Sequence, residues 1–329
     1  MSRSVSSTQS GKNRKPAVDD GQSGTRGRRT WRPGVIGQQP CSLRAPAKIN
    51  LTLRVTGRRA DGYHELATRM QKLELCDLLE LRLTGRPGIV CRCDDPDLPV
   101  DRSNLAVRAA DHFLRAAGNA DCCGVEIGLG KRIPVAAGLG GGSSDAGAVL
   151  RGLNDLLQEP FDEPELIELA RPLGADVPFF VHRAAAAVAT GIGDVLVETA
   201  SLRGYFVLLV NPGFAVSTKT VFENYALTTK GKKSKIRGSR IDEGIVFSPA
   251  HLANDLEQTS VGRWPIIARI KAVLLQVGAA GALMTGSGPT VFGLFAAGHY
   301  TEDSLETVAE RIAADFDGKV FLTRVDAGA

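Results

Sequence analysis

Pro134-Val135-Ala136-Ala137-Gly138-Leu139-Gly140-Gly141-Gly142-Ser143-Ser144-Asp145 is the stretch on which the reading of this chain turns. Glycines at 138, 140, 141 and 142 remove the Cβ atoms that keep a charged ligand away from backbone N–H groups, and they permit positive φ. Apolar residues at helical spacing follow from Ala146 to Leu153, so Ser143 and Ser144 stand where a helix would be capped. A glycine-rich loop that opens a helix offers free N–H groups and the positive end of the helix dipole, and phosphate suits both. The spacing matches neither G-x-x-x-x-G-K-[ST] nor G-x-G-x-x-G, which excludes two common nucleotide motifs. The competing reading is that the glycines only permit tight turns or close packing.

Around this loop lies a chain of 329 residues, 43% hydrophobic, enough for one large or two medium globular domains. No apolar run approaches the ~20 residues that span a bilayer, so no membrane association is expected. The net charge of +4 is unevenly placed: residues 1–41 hold eight Lys or Arg against Asp19 and Asp20, a balance of +6 that leaves −2 for the remainder. Lys230–Arg240 adds six basic residues and no acid, so the rest of the body is acidic and nucleic acid is not an expected partner. Residues 1–41, rich in Ser, Gly, Gln and Arg without apolar periodicity, read as a disordered basic tail. A functionless extension, a transit peptide and a weak polyanion-binding arm all fit its composition. A secretory signal does not, for want of an apolar core of ~7–15 residues. Cys41, Cys76, Cys91, Cys93, Cys122 and Cys123 show no C-x-x-C spacing and no paired histidines, the pattern of reduced thiols in a cytoplasmic protein and not of a zinc site.

Strand patterns cover Leu43–Val55, Gln71–Leu83, Val125–Leu129, Tyr205–Val210, Leu283–Thr285 and Thr290–Phe295, with short extended runs at Val177–Val181 and Ala185–Ala189. Helical patterns cover Asn104–Ala117, Asn154–Ala170 with a break at Pro160, Thr218–Ala226, Pro265–Val277 and Ser304–Phe316. The irregular alternation lacks the regular βαβ units of a doubly wound sheet and predicts two α+β domains, divided just before Tyr205, near residue 202.

Three further segments carry chemistry. In Ala45-Pro46-Ala47-Lys48-Ile49-Asn50-Leu51, Lys48 and Asn50 are two apart on a strand and share one face, which suits an anionic ligand or an ordinary solvent face equally. Asp61-Gly62-Tyr63-His64-Glu65-Leu66 follows. In Gly174-Ala175-Asp176-Val177-Pro178-Phe179-Phe180 a carboxylate stands at the mouth of an apolar strand, where a simple turn or cap residue is the commoner case. Met284-Thr285-Gly286-Ser287-Gly288-Pro289-Thr290 is a second glycine turn between strands.

In order and spacing these segments resemble the superfamily of galactokinase, homoserine kinase, mevalonate kinase and phosphomevalonate kinase, the GHMP kinases, over residues 42–329. Ala45–Leu51 with Asp61–Leu66 is similar to the branch that phosphorylates a cytidine diphosphate-linked methylerythritol on the non-mevalonate isoprenoid route. The resemblance implies a two-domain α+β fold, with the active site in the cleft between an N-terminal domain (42–202) and a C-terminal domain (203–329). It implies transfer of the ATP γ-phosphoryl to the 2-hydroxyl of that small molecule with Mg²⁺, by a monomer or weak homodimer. Asp176 then matches the catalytic base and Lys48 the catalytic lysine. Pro134–Ser144 matches the ATP phosphate loop, with Asn104 and Lys131 on the adenine side. Tyr63 and Phe222 match residues that sandwich cytosine, His64 the residue at the base edge, and Asn50 and Thr218 contacts near the sugar and diphosphate. The chain has Asp145 where members can have Asn; an acid there is favoured by the helix dipole yet adds charge beside the phosphates, or lies near Mg²⁺. Another kinase of the superfamily, of the homoserine or mevalonate type, would have no use for Tyr63 and His64. A non-catalytic nucleotide-binding protein would not need both Lys48 and Asp176.

Overall fold

In a computed structural model of the chain, residues 39–228 and 247–326 are described. The basic tail up to residue 38 and the Lys230–Arg240 segment lie outside them. The alternating N-terminal pattern becomes two long antiparallel strands, β1 (Cys41–Arg58) and β2 (His64–Thr84), in register from Cys41↔Leu81 to Arg58↔His64. Register shifts interrupt the pair between Pro46 and Lys48 and between Asn50 and Thr52. Such bulges bend a strand and re-aim its side chains. β3 (Gly88–Cys93) and β4 (Gly124–Gly130) extend the sheet in the order β3-β4-β2-β1, and β5 (Ala186–Thr190) and β6 (Val195–Glu198) continue it from β2.

From residue 205 onward a second sheet forms from β7 (Tyr205–Asn211), β9 (Gly281–Met284), β10 (Val291–Ala296) and β11 (Lys319–Arg324), antiparallel in the order β11-β7-β10-β9. The two-residue β8 (Ala253–Asn254) crosses back to pair with β1 in parallel. The expected α+β class describes this chain.

Two helices, α1 (Leu105–Ala116) and α2 (Gly141–Leu156), cover the first sheet, burying Phe113, Val149, Leu150 and Leu153 against Leu79, Leu81 and Ile127. Each such side chain contributes about 1.5–3 kcal/mol on burial. The short helices α3 (Glu163–Ala170) and α4 (Val177–Val181) follow, then α5 (Thr218–Thr228), α6 (Glu257–Arg263), α7 (Ile266–Gln276) and α8 (Glu302–Asp315) around the second sheet. A further core cluster takes Ile49, Leu51 and Leu73 from the first sheet and Val207, Leu209 and Phe292 from the second, so apolar packing is continuous between them. Gln71, fully buried, spans the same junction: its Nε2 donates to the Lys72, Ala185 and Asp326 carbonyls, and its Oε1 accepts from Leu202 N at 2.8 Å.

Three local expectations are corrected. Val177–Val181 is a helical turn and not an extended run. A five-residue apolar segment carries no decisive period, and Pro178 in its first turn suits a helix start. Asp176 therefore stands at a helix N-terminus and not at a strand mouth. Helix α2 begins at Gly141, with Gly140 at the cap in the left-handed region (φ 75°), which puts Ser143 and Ser144 inside the first turn and not at the cap. Asn154, expected to begin a helix, belongs to α2 and closes the break near Pro160 by exchanging two hydrogen bonds with the Phe161 backbone.

Candidate active site

A cleft of about 650 Å³ lies where β1, the loop before α2, the start of α4 and α5 converge. The bulges in β1 turn Lys48 and Asn50 into it, and both are buried, at 4% and 3% exposure, which removes the solvent-face reading. Lys48 Nζ donates to Asn50 Oδ1 at 2.7 Å and stands 3.5 Å from Asp176 Oδ2. Asn50 Nδ2 donates to Thr68 Oγ1 at 2.8 Å, and Thr68 in turn donates to the Thr52 carbonyl at 2.6 Å. A chain of bonds thus orients the amide and through it the ammonium. Asp176 makes no side-chain capping bond at α4, so its carboxylate, 36% exposed, is left to the cleft.

The phosphate-loop candidate is tied to the same strand, because Lys48 N donates to the Leu139 carbonyl at 2.9 Å. Ala136, Gly138 and Gly140 have φ of 50°, 79° and 75°, a repeated left-handed turn that gathers backbone N–H groups into a concavity. Glycine is required at 138 by contact as well as by φ: a Cβ there would lie 2.4 Å from the Thr285 carbonyl. The first N–H groups of α2 have no intrahelical acceptor, and Ser144 Oγ is buried without a partner. The second glycine turn closes the site from the other sheet. Thr285 Oγ1 accepts from Asn50 N at 3.1 Å, and Ser287 Oγ meets Thr218 Oγ1 at 2.9 Å.

Other expected residues are placed unevenly. Asn104 lines the cleft while capping α1, accepting from Ala106 N at 2.9 Å. Lys131 also lines it, but its ammonium is held between Asp77 and Asp145. Asp145 is therefore an ion-pair partner and not a free acid. The ring of His64 stacks on Phe222 at 5.1 Å and 25°, and burial followed by the Arg58 charge pushes its pKa down. Tyr63 is 63% exposed and, among the described residues, makes no ring contact with Phe222. Thr68 and Ser287 also line the cleft, and Asp77 holds Lys131 beside it; an Asp within the apolar β2 is the one signal the sequence offers for Asp77.

A model of the GHMP kinases N terminal domain matches residues 104–196, and one of the GHMP kinases C terminal matches residues 264–318. A 4-diphosphocytidyl-2-C-methyl-D-erythritol kinase of Desulfotalea psychrophila is 49% identical over 280 residues, 85% of this chain and 93% of that protein. The chain belongs to the GHMP kinase family. The kinase is also 45% identical to the protein of the same description from Geotalea daltonii, over 83% of this chain and 95% of the relative. A crystal structure of 4-(cytidine 5'-diphospho)-2C-methyl-D-erythritol kinase superposes with a TM-score of 0.69 at 35% identity, covering 88% of this chain and all of that one. Homoserine kinase from Cytophaga hutchinsonii, at a TM-score of 0.64 and 17% identity, shares the fold. This GHMP kinase is an ATP-dependent phosphotransferase, and among its described residues no helix is long and apolar enough to cross a membrane.

Proposed function

We propose that this kinase transfers the ATP γ-phosphoryl to the 2-hydroxyl of 4-diphosphocytidyl-2-C-methyl-D-erythritol, with Asp176 accepting the hydroxyl proton. The observation that carries this reading is the Lys48–Asp176 pair, 3.5 Å apart and facing the glycine loop across one cleft. The carboxylate is placed to take the hydroxyl proton, and the ammonium beside it answers charge that builds on the attacking oxygen. The loop N–H groups and the unpaired Ser144 hydroxyl donate to the phosphates. Phosphoryl transfer asks little more of a protein than such positioning and neutralisation.

The fit to Mg²⁺ rests on the donor set. Among the described residues no group of three or more His, Cys, Asp or Glu could hold a metal ion, and Asp145 is paired with a lysine. The described residues supply no acidic cage, so Mg²⁺ would enter on the phosphates, keeping waters as it does in most nucleotide sites. Tyr63, His64 and Phe222 form the cytidine end in this reading, and a bound base would share or displace the His64 contact with Phe222. All six cysteines are free, which suits the cytoplasm.

ADP release measured with the cytidylyl alcohol, beside homoserine and mevalonate, tests the assignment; turnover confined to either control would overturn it. Tyr63→Ala should raise the KM for the alcohol about 5- to 150-fold, from a stacking worth of ~1–3 kcal/mol per base, and leave the ATP KM in place. Equal losses for both substrates would show that Tyr63 supports the fold and does not select the ligand.

A further inference from the structure

Phosphoryl transfer does not account for a buried charge cluster behind the phosphate loop. Asp77 is fully buried within the apolar run of β2, and Asp145, the fifth residue of α2, is 4% exposed. Lys131 Nζ donates to Asp145 Oδ2 at 2.6 Å and also to Asp77 Oδ2. Asp77 Oδ1 accepts from Arg132 N at 2.6 Å and Ile133 N at 2.8 Å, the residues that lead into Pro134. The cluster therefore ties β2, the exit from β4 and the start of α2 at the two ends of the loop. With both carboxylates ionised its formal charge is −1, immediately behind the donors that would meet polyphosphate. Asp145 Oδ1, moreover, is buried with no hydrogen-bond partner. A buried carboxylate oxygen without a donor is a poor place for full negative charge and a good place for a proton.

We propose that Asp145 is a proton-linked positioning residue of the nucleotide site: loading the loop with polyphosphate draws one proton from solvent onto Asp145, so that the Asp77–Lys131–Asp145 cluster is neutral when phosphate is bound. The inference rests on the reading of Pro134–Ser144 as the ATP phosphate loop. Only an O–H bond forms, and Lys131 keeps its charge and its bonds. Burial is the first cause that raises the Asp145 carboxyl, to about 7; the Lys131 charge opposes it and the Asp77 charge adds to it. Among the described residues Cys91 of β3 also faces Asp145, Cys93 faces Lys131 and Asp94 accepts from Lys131 N, while α1 sets Leu105 against the Gly142 turn and α4 is uncharged. Phosphates bound in the loop would raise the carboxyl further. Above about pH 7 the free protein must take up the proton on binding, so affinity falls as pH rises, by at most about tenfold per pH unit.

Calorimetry with the Mg²⁺ complex of β,γ-methylene-ATP, in two buffers of different ionisation enthalpy at about pH 7.5, counts the protons taken up. Subtracting the count for Asp145→Asn removes the ionisation of the nucleotide itself. The expected result is a net uptake in the wild-type protein relative to the variant. The wild-type Kd should also weaken about three- to tenfold from pH 6.5 to 8.5, against a flatter profile in the variant. Equal proton counts and equal slopes in the two proteins would overturn the inference, as would a wild-type Kd that does not weaken over that range. Absence of any binding would instead overturn the nucleotide reading on which it stands.

Discussion

Replacing Asp176 by Asn removes the proton acceptor and the charge while leaving the shape, and the structure says where the loss must appear. The carboxylate lies 3.5 Å from an ammonium that is itself 5% exposed, whereas Asp176 is 36% exposed. At an effective dielectric of ~20 such a pair attracts by about 5 kcal/mol before desolvation, and solvent at the open carboxylate reduces that to the ~1 kcal/mol scale of a partly exposed pair. Asn keeps an oxygen facing Lys48, and Lys48 retains its 2.7 Å bond to Asn50. Stability should therefore change by about 1 kcal/mol or less. The barrier should change far more: loss of a general base costs about 10²- to 10⁴-fold in kcat, or ~3–5.5 kcal/mol. Because the phosphate loop is bound to β1 through the Lys48 backbone and not through Asp176, the ATP KM should stay within about twofold. A coupled ADP-release assay with both substrates varied, run beside thermal melts, separates these effects. Turnover within about threefold of wild type would remove Asp176 from the role of base, and a collapse of the melting temperature would show that the pair is mainly structural.

Gly140→Ala puts a Cβ at 2.8 Å from Phe180 Cζ and 3.1 Å from Lys48 Cγ at a φ of 75°, so both the loop and the lysine must shift. The ATP KM should rise by about tenfold or more with a parallel fall in kcat, and unchanged steady-state kinetics would contradict the cradle. Lys72 is buried at the end of α4, donating to the His182 carbonyl at 2.5 Å, and burial lowers its pKa from 10.5 to about 7. Between those values the unfolded chain holds the extra proton, so this group makes stability rise with pH across that window and fall as pH drops through it. Urea melts of Lys72→Met from about pH 7 to 10 should show a shallower rise than wild type, by up to ~1.4 kcal/mol per pH unit; parallel curves would show that Lys72 stays charged.

Much of the site was legible because its chemistry is local. Glycines at alternate positions before a helical pattern state a left-handed loop and an open helix end wherever they occur, and Lys48 with Asn50 on one strand shares a face by period alone. Long elements such as β1, β2 and α1 were equally plain, since their periods run over enough residues to be distinguished. Val177–Val181 was not, because five apolar residues fit a strand or a helical turn, and only packing such as that of Phe180 under α2 selects the turn. The same limit hid the short β3, β6 and β8. Side-chain commitment was the part that sequence could not state. Nothing local in the sequence joins Lys131 to Asp77, 54 residues away, or the ring of His64 to Phe222. The amino-acid sequence by itself determined the α+β class and which backbone and side-chain groups stand beside one another along the chain. The tertiary structure alone decided the partners of each buried charge, because low-dielectric pairing joins residues distant in sequence and no local period records it.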